Sequence, residues 1–223
     1  MARRPHGGND DPPADHGETR PRSGGGGDPR SVRAAQDRAE GTARDGRAGA
    51  GRGDRAADLV TERTGTPGGT PSGHTTGIPR RADASGRRSI DRENSAAVII
   101  ADQGYEIRQN PTPGEVAGAR REFGDTGRPE TRPDYLIEGR VFDCYSPDDG
   151  KPVRGIWSEA SDKVEDGQTQ RVIVNLADWS GDLGALRRQF MDWPIEGLKE
   201  VKAITRDREI VQLDLPGVGE EGA

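Results

Sequence analysis

Two short segments rich in β-branched and aromatic residues adjoin at residues 133–147 of this 223-residue chain, which read PDYLIEGRVFDCYSP. The connection between them is Glu138-Gly139, and the glycine can supply the positive φ that a two-residue hairpin turn needs. With the turn at this point, Tyr135 is expected opposite Phe142. One position further from the turn, Asp134 is expected opposite Asp143, with Cβ atoms about 4.5–5.5 Å apart.

Two carboxylates that face each other on neighbouring strands repel unless a cation lies between them. Oxygen ligands of this kind suit Mg²⁺ or Mn²⁺, so the hairpin indicates a metal site. The alternative is purely structural. In that case Asp134 caps the chain beside Pro133, and Asp143 pairs with an arginine such as Arg140.

The sequence on both sides of the hairpin predicts a mixed α/β domain built around one sheet. Apolar residues at helical spacing, caps and breakers predict helices at about 89–103, 112–123, 155–166 and 183–193. Outside the hairpin, strand-forming runs lie at about 105–108, 171–176, 198–204 and 209–215.

The composition changes along the chain and gives the expected domain boundaries. All Phe, Trp and Tyr residues lie at or after Tyr105, although aromatics make up only 4% of the whole chain. Residues 1–88 are mostly Gly, Pro, Arg, Asp, Ala, Ser and Thr, too few apolar side chains to offset the entropy of ordering. We therefore expect a long disordered segment at 1–88, one domain at 89–215 and a flexible tail at 216–223.

Charge is distributed unevenly between these parts. Residues 1–88 carry 16 arginines against 12 acidic residues, whereas residues 89–223 carry ten more acidic than basic side chains. An acidic domain is unfavourable for unspecific nucleic-acid binding, which depends on phosphate neutralisation. It suits recruitment of Mg²⁺, or a surface that binds a basic protein partner.

Several classes of site are excluded by residue counts. The only cysteine is Cys144, so an intrachain disulfide and a multi-cysteine zinc site are excluded. The histidines (His6, His16 and His74) all precede the expected domain, which would then lack His-dependent catalysis and zinc binding. No apolar run is long enough for a membrane span or a Sec signal peptide.

Two further side chains are expected on inward helix faces. Glu93 lies within the apolar stripe of the helix predicted at 89–103, where a buried carboxylate needs a partner. The partner could be an arginine or a metal ion. Lys163 shares a face with Ile156 and Ala160, so its amine could reach outwards to solvent, pair with a carboxylate, or stabilise charge on a phosphate. Gln168 could bind phosphate or simply cap the following strand.

Beyond the individual residues, the order of several segments resembles the C-terminal tRNA nuclease domains of CdiA-type contact-dependent growth inhibition toxins. The resemblance covers about residues 91–204. It is carried by the following segments: Arg92-Glu93-Asn94, Gly104-Tyr105, Gln109-Asn110-Pro111, Pro133-Asp134-Tyr135-Leu136-Ile137, Val141-Phe142-Asp143-Cys144-Tyr145, Lys163-Val164, Gly167-Gln168 and Arg171-Val172.

The resemblance implies a variant of the PD-(D/E)xK nuclease fold. Carried over to this chain, Glu93 is the helix acid, Asp134 the first hairpin acid and Asp143 the second. The usual lysine two residues after the second acid is replaced by Tyr145, and Lys163 on the next helix is expected to supply the missing amine.

The resemblance further implies a metal-dependent ribonuclease toxin that cleaves tRNA in the cytoplasm of competing cells, delivered by a route other than Sec. Glu93, Asp134 and Asp143 would bind Mg²⁺ or Mn²⁺. Gln168 and Arg171 would contact substrate, and a cognate immunity protein would be the partner. The alternatives are a DNase toxin of the same fold and a non-enzymatic acidic module that binds protein.

Overall fold

Residues 60–216 are described by the structure, which is a computed structural model. The four helices of this part are α1 (Ala84–Asp102), α2 (Pro113–Phe123), α3 (Val153–Glu165) and α4 (Leu183–Asp192). Its strands are β1 (Ser72–Gly73), β2 (Ile107–Gln109), β3 (Tyr135–Ile137), β4 (Arg140–Tyr145), β5 (Arg171–Asn175), β6 (Glu200–Ile204) and β7 (Ile210–Leu213).

The strands form one mixed sheet in which their spatial order follows the chain, β1 to β7. Neighbouring strands are antiparallel in the pairs β2–β3, β3–β4 and β6–β7, and parallel in the pairs β1–β2, β4–β5 and β5–β6. The helix α3 connects the parallel strands β4 and β5, and α4 connects β5 and β6. The predicted α/β class with a single mixed sheet is confirmed.

The hairpin of β3 and β4 has the predicted register. Tyr135 pairs with Phe142, and both side chains are completely buried. Glu138 and Gly139 have φ values of 49° and 75°, which match a tight turn with positive φ at both central residues. Asp134 and Asp143 are the next residues beyond this pair and lie at the open end of the hairpin.

Apolar side chains are buried on both faces of the sheet. One cluster includes Ile156, Val172 and Leu186 and covers the side of α3 and α4. Another includes Ile100 and Phe142 and covers the side of α1. The two faces fix the positions of α1 and α3, the helices that carry Glu93 and Lys163.

Two helix starts can be compared directly with the prediction. Thr112 and Glu115 form the predicted capping box at the start of α2. By contrast, α1 begins before the predicted position at 89. Asp83 caps it by accepting a hydrogen bond of 2.7 Å from the Gly86 amide.

The predicted domain boundary at residue 89 is wrong for residues 60–88, which pack on the domain. Thr61 is buried, and its amide and hydroxyl donate hydrogen bonds of 2.9 and 2.6 Å to the Glu200 carboxylate. Thr64 binds Glu138 in the same two-donor manner, at 3.0 and 2.6 Å. This segment docks through hydroxyl–carboxylate pairs, which produce no apolar periodicity in the sequence.

The remaining predicted regions, 1–59 of the N-terminal segment and 217–223 of the tail, lie outside the described residues. Within 60–216, none of the helices has the length and apolar character needed to cross a membrane.

Candidate active site

The open end of the hairpin brings the carboxylates of Asp134 and Asp143 together. The backbone amide of Cys144 donates to both, at 2.8 Å to Asp134 Oδ2 and 2.9 Å to Asp143 Oδ1. Asp143 is buried in the domain, and Asp134 is partly buried. The predicted opposition of these two acids is therefore observed as a close pair with a shared hydrogen-bond donor.

Lys163 reaches this pair from the C-terminal part of α3. Its Nζ atom lies 3.4 Å from Asp143 Oδ1, and its side chain is 19% exposed. Burial acts to lower the pKa of Lys163, whereas the charges of Asp143 and Asp134 act to raise it, and the net direction is upward. The lysine is therefore a cation at physiological pH, although it lies mostly out of water.

Burial and neighbouring charges change the pKa of Asp134. Burial raises the pKa of Asp134 well above its ordinary value, and a hydrogen bond with Asp143 and the charges of Asp143 and Glu93 raise it further. The hydrogen bond from Cys144 opposes this effect. The two carboxyl groups can therefore share one proton between them in the absence of a cation.

Glu93 on α1 contributes a third carboxylate close to the pair. Burial raises the pKa of Glu93, the hydrogen bond from Thr76 lowers it, and the nearby charge of Asp143 raises it. The hydroxyl of Thr76 donates to Glu93 Oε1. The arginine partner that sequence reasoning left open is not observed for Glu93 within residues 60–216.

Thr76, which donates a hydrogen bond to Glu93, lies in the segment 1–88 that was predicted to be disordered. The Thr76 amide donates to Asn94 Oδ1 at 2.9 Å, and Asn94 Nδ2 donates back to the Thr76 carbonyl at 3.0 Å. Tyr135 Oη donates to the Glu93 carbonyl at 2.6 Å. Thr76 is a site residue that the sequence analysis missed, and its only sequence signal was a threonine among exposed polar residues.

The carboxylates of the site can be compared with the ligands that a metal ion requires. Within residues 60–216, no three His, Cys, Asp or Glu side chains form a ready cage for a metal, so Glu93 does not complete a three-carboxylate cluster with Asp134 and Asp143. Mg²⁺ often binds to only one or two carboxylates and retains several waters. Two adjacent carboxylates with oxygen donors fit that type of ion, and Glu93 would act through a water molecule.

The alternative pairing of Asp143 with Arg140 is not observed among residues 60–216. Arg140 lies over the ring of Phe123, with its guanidinium carbon 5.0 Å from the ring centre, instead of pairing with Asp143. Tyr145, which stands where the resemblance expects a lysine, packs beside the apolar cluster of α3 and α4. Lys163 is therefore the lysine that the described structure places at the carboxylate pair.

The two residues expected to contact substrate have different positions. Gln168 is partly buried beside the site, with Oε1 3.5 Å from Lys163 Nζ. Arg171 is only 2% exposed; it pairs with Asp125 and lies 3.5 Å from Glu200 Oε2. The expectation that Arg171 contacts substrate is therefore corrected, because its guanidinium is enclosed by carboxylates in the domain interior.

The expectation that the domain contains no histidine is also corrected. His74 lies between β1 and Thr76 and is exposed, and its carbonyl accepts a hydrogen bond of 2.8 Å from Asn110 Nδ2. Asn110 Nδ2 also donates to Thr76 Oγ1 at 2.9 Å. His74 is thus two residues from Thr76, whose hydroxyl donates a hydrogen bond to Glu93.

Comparisons with known proteins identify relatives of this chain. The profile described as "Contact-dependent growth inhibition CdiA C-terminal domain" matches residues 131–210. The protein "tRNA nuclease CdiA-2" of Burkholderia pseudomallei (strain 1026b) is 41% identical over 138 residues, which are 62% of this chain. This match spans only 4% of the length of that curated relative.

A solved structure gives the corresponding match in three dimensions. The "CdiA-CT/CdiI toxin and immunity complex from Burkholderia pseudomallei" is 36% identical, with a TM-score of 0.56. The alignment covers 66% of this chain and 99% of the solved chain. The carboxylate pair, the fold and both matches lead to one assignment: this chain belongs to the CdiA C-terminal domain family of contact-dependent growth inhibition.

Proposed function

We propose that the chain is a metal-dependent endoribonuclease toxin that cleaves tRNA. The observation that carries the proposal is the convergence of Asp134, Asp143 and Lys163 in one partly buried site, where Lys163 Nζ lies 3.4 Å from Asp143 Oδ1. Two acids and a lysine at this spacing suit phosphodiester hydrolysis, which needs a bound cation and a positive charge near the developing negative charge.

Asp134 and Asp143 would hold the Mg²⁺ or Mn²⁺ ion. The ion, when bound, supplies a Lewis acid that polarises the phosphate and lowers the pKa of a water. Burial raises the pKa of Asp134, and a cation bound beside it would favour the ionised form of this carboxyl group.

Lys163 would act on the phosphate from its position beside Asp143. Its cationic amine can donate hydrogen bonds to the phosphate oxygens as negative charge develops on them. The same amine forms an ion pair with Asp143, at 3.4 Å from its Oδ1 atom. Gln168, whose side-chain oxygen lies 3.5 Å from that amine, would orient it and could also contact the phosphate.

Glu93 would orient a water molecule toward the scissile phosphate. Its carboxylate is held by Thr76 on one oxygen, and the nearby charges of Asp143 and Lys163 affect its pKa in opposite directions. A carboxylate with a raised pKa in this position is suited to accept a proton from water during hydrolysis.

The names of the relatives support the finer parts of the proposal. A relative at 41% identity is named a tRNA nuclease, and the solved neighbour is a complex of a toxin with its immunity protein. We therefore propose tRNA as substrate and a cognate immunity protein as partner. The cytoplasm of a target cell, reached by a non-Sec route, is the proposed place of action.

The test of substrate class uses three nucleic acids in parallel. Purified chain is incubated with total tRNA, with ribosomal RNA and with supercoiled plasmid, each with Mg²⁺ and with EDTA. We expect discrete fragments from tRNA in Mg²⁺ and none in EDTA. Nicking of the plasmid with intact tRNA would replace the proposal by a DNase, and no cleavage of any substrate would favour a protein-binding module.

A further inference from the structure

A cavity of about 290 Å³ lies beside the candidate active site and is not used by the chemistry described above. Its polar lining includes His74, Asn110 and Arg132, and its apolar lining includes Pro111 and Pro133. This volume is at the lower end of the roughly 300–1,000 Å³ that small-molecule pockets occupy. The cavity can therefore hold one flat organic group, but not a folded peptide or a helix.

Residues that line the cavity adjoin the acids of the site. Pro133 immediately precedes Asp134. The backbone N–H of Asn110 donates a hydrogen bond of 2.9 Å to the backbone carbonyl of Asp134. On the other side, Asn110 Nδ2 contacts Thr76 Oγ1, and that hydroxyl binds Glu93. A group in this cavity would therefore lie next to a phosphate bound at Asp134 and Asp143.

The lining also has the chemistry that recognises an unstacked nucleobase. His74 and Arg132 are both exposed, and imidazole and guanidinium planes are among the groups on which splayed-out RNA bases stack. The side-chain Nδ2 atom of Asn110 donates hydrogen bonds to the His74 carbonyl and to Thr76 Oγ1. Its Oδ1 atom can accept a hydrogen bond and has no donor among residues 60–216. An acceptor beside stacking groups can bind the polar edge of a base.

We propose that this cavity binds the base of a nucleotide adjacent to the scissile phosphate of the RNA. His74 and Arg132 stack on or flank the base, and Asn110 accepts from its edge. The cavity thereby selects a cleavage position where a base can leave its helical stack, such as a loop or an end. This inference rests on the proposed ribonuclease function, because an adjacent base is defined only by a phosphate in the site.

The test combines protein variants with altered substrates. The cleavage position is first mapped with wild-type chain, and a short RNA hairpin containing it is synthesised. Two analogues carry an abasic residue, one immediately 5′ and the other immediately 3′ of the scissile phosphate. Wild type, His74→Ala and Arg132→Ala are compared on all three RNAs by kcat/KM. Thr75→Ala and Arg121→Ala are the matched controls, since both residues are exposed and lie outside the cavity lining.

We expect one abasic analogue to lower kcat/KM of wild type roughly tenfold, the effect of losing one stacked base. His74→Ala and Arg132→Ala should lose a similar factor on the intact RNA and should lose little more on that analogue. Both control variants should behave as wild type does.

Two results would overturn the inference while leaving the ribonuclease proposal intact. One is that wild type cleaves both abasic analogues within twofold of the intact RNA. The other is that the losses caused by the variants and by the abasic residue multiply as independent effects. If wild type does not cleave the intact RNA, or if Asp143→Asn cleaves it equally well, the ribonuclease proposal and this inference both fail.

Discussion

Asp134 and Asp143 accept hydrogen bonds from one and the same donor, the backbone amide of Cys144, at 2.8 and 2.9 Å. A single N–H cannot compensate two negative charges in a partly buried place. The pair therefore needs a proton, the amine of Lys163, or a metal ion; burial and neighbouring charges raise the pKa of Asp134, and the Lys163 amine lies 3.4 Å from Asp143 Oδ1. We expect the pair to hold a proton when no cation is bound and to release it when a cation binds.

This pair should reduce the stability of the folded chain at neutral pH. The native state holds a proton at Asp134 more tightly than the unfolded chain does, because the folded-state pKa is raised. Stability consequently falls as pH rises above the ordinary aspartate pKa of about 3.9, until the native carboxyl has ionised. We expect Asp134→Asn, which cannot ionise, to raise the free energy of unfolding at pH 7.5.

Urea denaturation at several pH values measures this effect. The gain of Asp134→Asn over wild type should shrink as the pH is lowered toward about 4. An exposed control, Asp162→Asn on α3, should show no comparable gain. Equal stability of Asp134→Asn and wild type at all pH values would contradict the raised pKa.

Metal binding should release a proton from the pair. Calorimetric titration of Mn²⁺ or Mg²⁺ in two buffers with different ionisation enthalpies separates proton release from the binding heat itself. We expect a clear buffer dependence for wild type at pH values where Asp134 is still protonated. Asp134→Asn, which removes a proposed ligand, should bind the ion more weakly, and identical heats in both buffers for wild type would argue against this proton.

Removal of the Lys163 amine should slow the chemical step more than substrate binding. Lys163→Met retains the apolar stem on α3 but removes the charge 3.4 Å from Asp143 Oδ1. We expect kcat to fall by about 10²–10³, as for loss of a group that stabilises developing charge, with a small change in KM. Lys163→Arg should recover part of the rate. A change confined to KM would assign Lys163 to substrate binding alone.

Thr76 should act as a positioning residue through Glu93. Thr76→Val keeps the shape of the side chain but removes the hydroxyl that donates to Glu93 Oε1. Losses for groups that orient a metal site are about 10- to 100-fold, and we expect a decrease of this size in activity. Thr76→Ser should restore activity, and Thr75→Val, at an exposed neighbouring position, should have no effect.

The buried ion network around Arg171 should determine stability, not catalysis. Arg171 pairs with Asp125, whose other oxygen accepts from Lys199 Nζ at 2.7 Å, and both Arg171 and Asp125 are 2% exposed. Arg171→Met removes the buried cation that pairs with Asp125 and leaves Lys199 as its remaining cationic partner, at a cost of at most about 3–5 kcal/mol. Urea denaturation should reveal this loss, with Arg187→Met on the exposed side of α4 as control. Weaker RNA binding with unchanged stability would restore Arg171 as a substrate contact.

The features that the sequence predicted are those with local signals. The hairpin register follows from a two-residue turn and alternating side chains, so Tyr135 opposite Phe142 could be predicted from the eight residues at 135–142. The capping box at Thr112 and Glu115 is likewise contained in four residues. The pairing of Asp134 with Asp143 was predictable because the hairpin itself brings them together.

The features that could not be predicted depend on partners far apart in the chain. Residues 60–76 dock through Thr61 on Glu200, Thr64 on Glu138 and Thr76 on Glu93, and each hydroxyl–carboxylate pair joins distant positions. A segment that docks through polar side chains has a composition similar to that of a disordered segment. Arg171 was misinterpreted for a similar reason, since an arginine at a strand start gives no sign of the buried carboxylates that enclose it.

The most direct test of the account compares tRNA cleavage by wild type, Asp143→Asn and Asp162→Asn at equal protein concentration in Mg²⁺. Both substitutions replace one aspartate by asparagine, at the buried site in one case and on the exposed surface of α3 in the other. The expected result is discrete tRNA fragments from wild type and Asp162→Asn, and a rate for Asp143→Asn that is lower by at least about a hundredfold. Equal cleavage by a folded Asp143→Asn chain would contradict the assignment of the carboxylate pair as the active site.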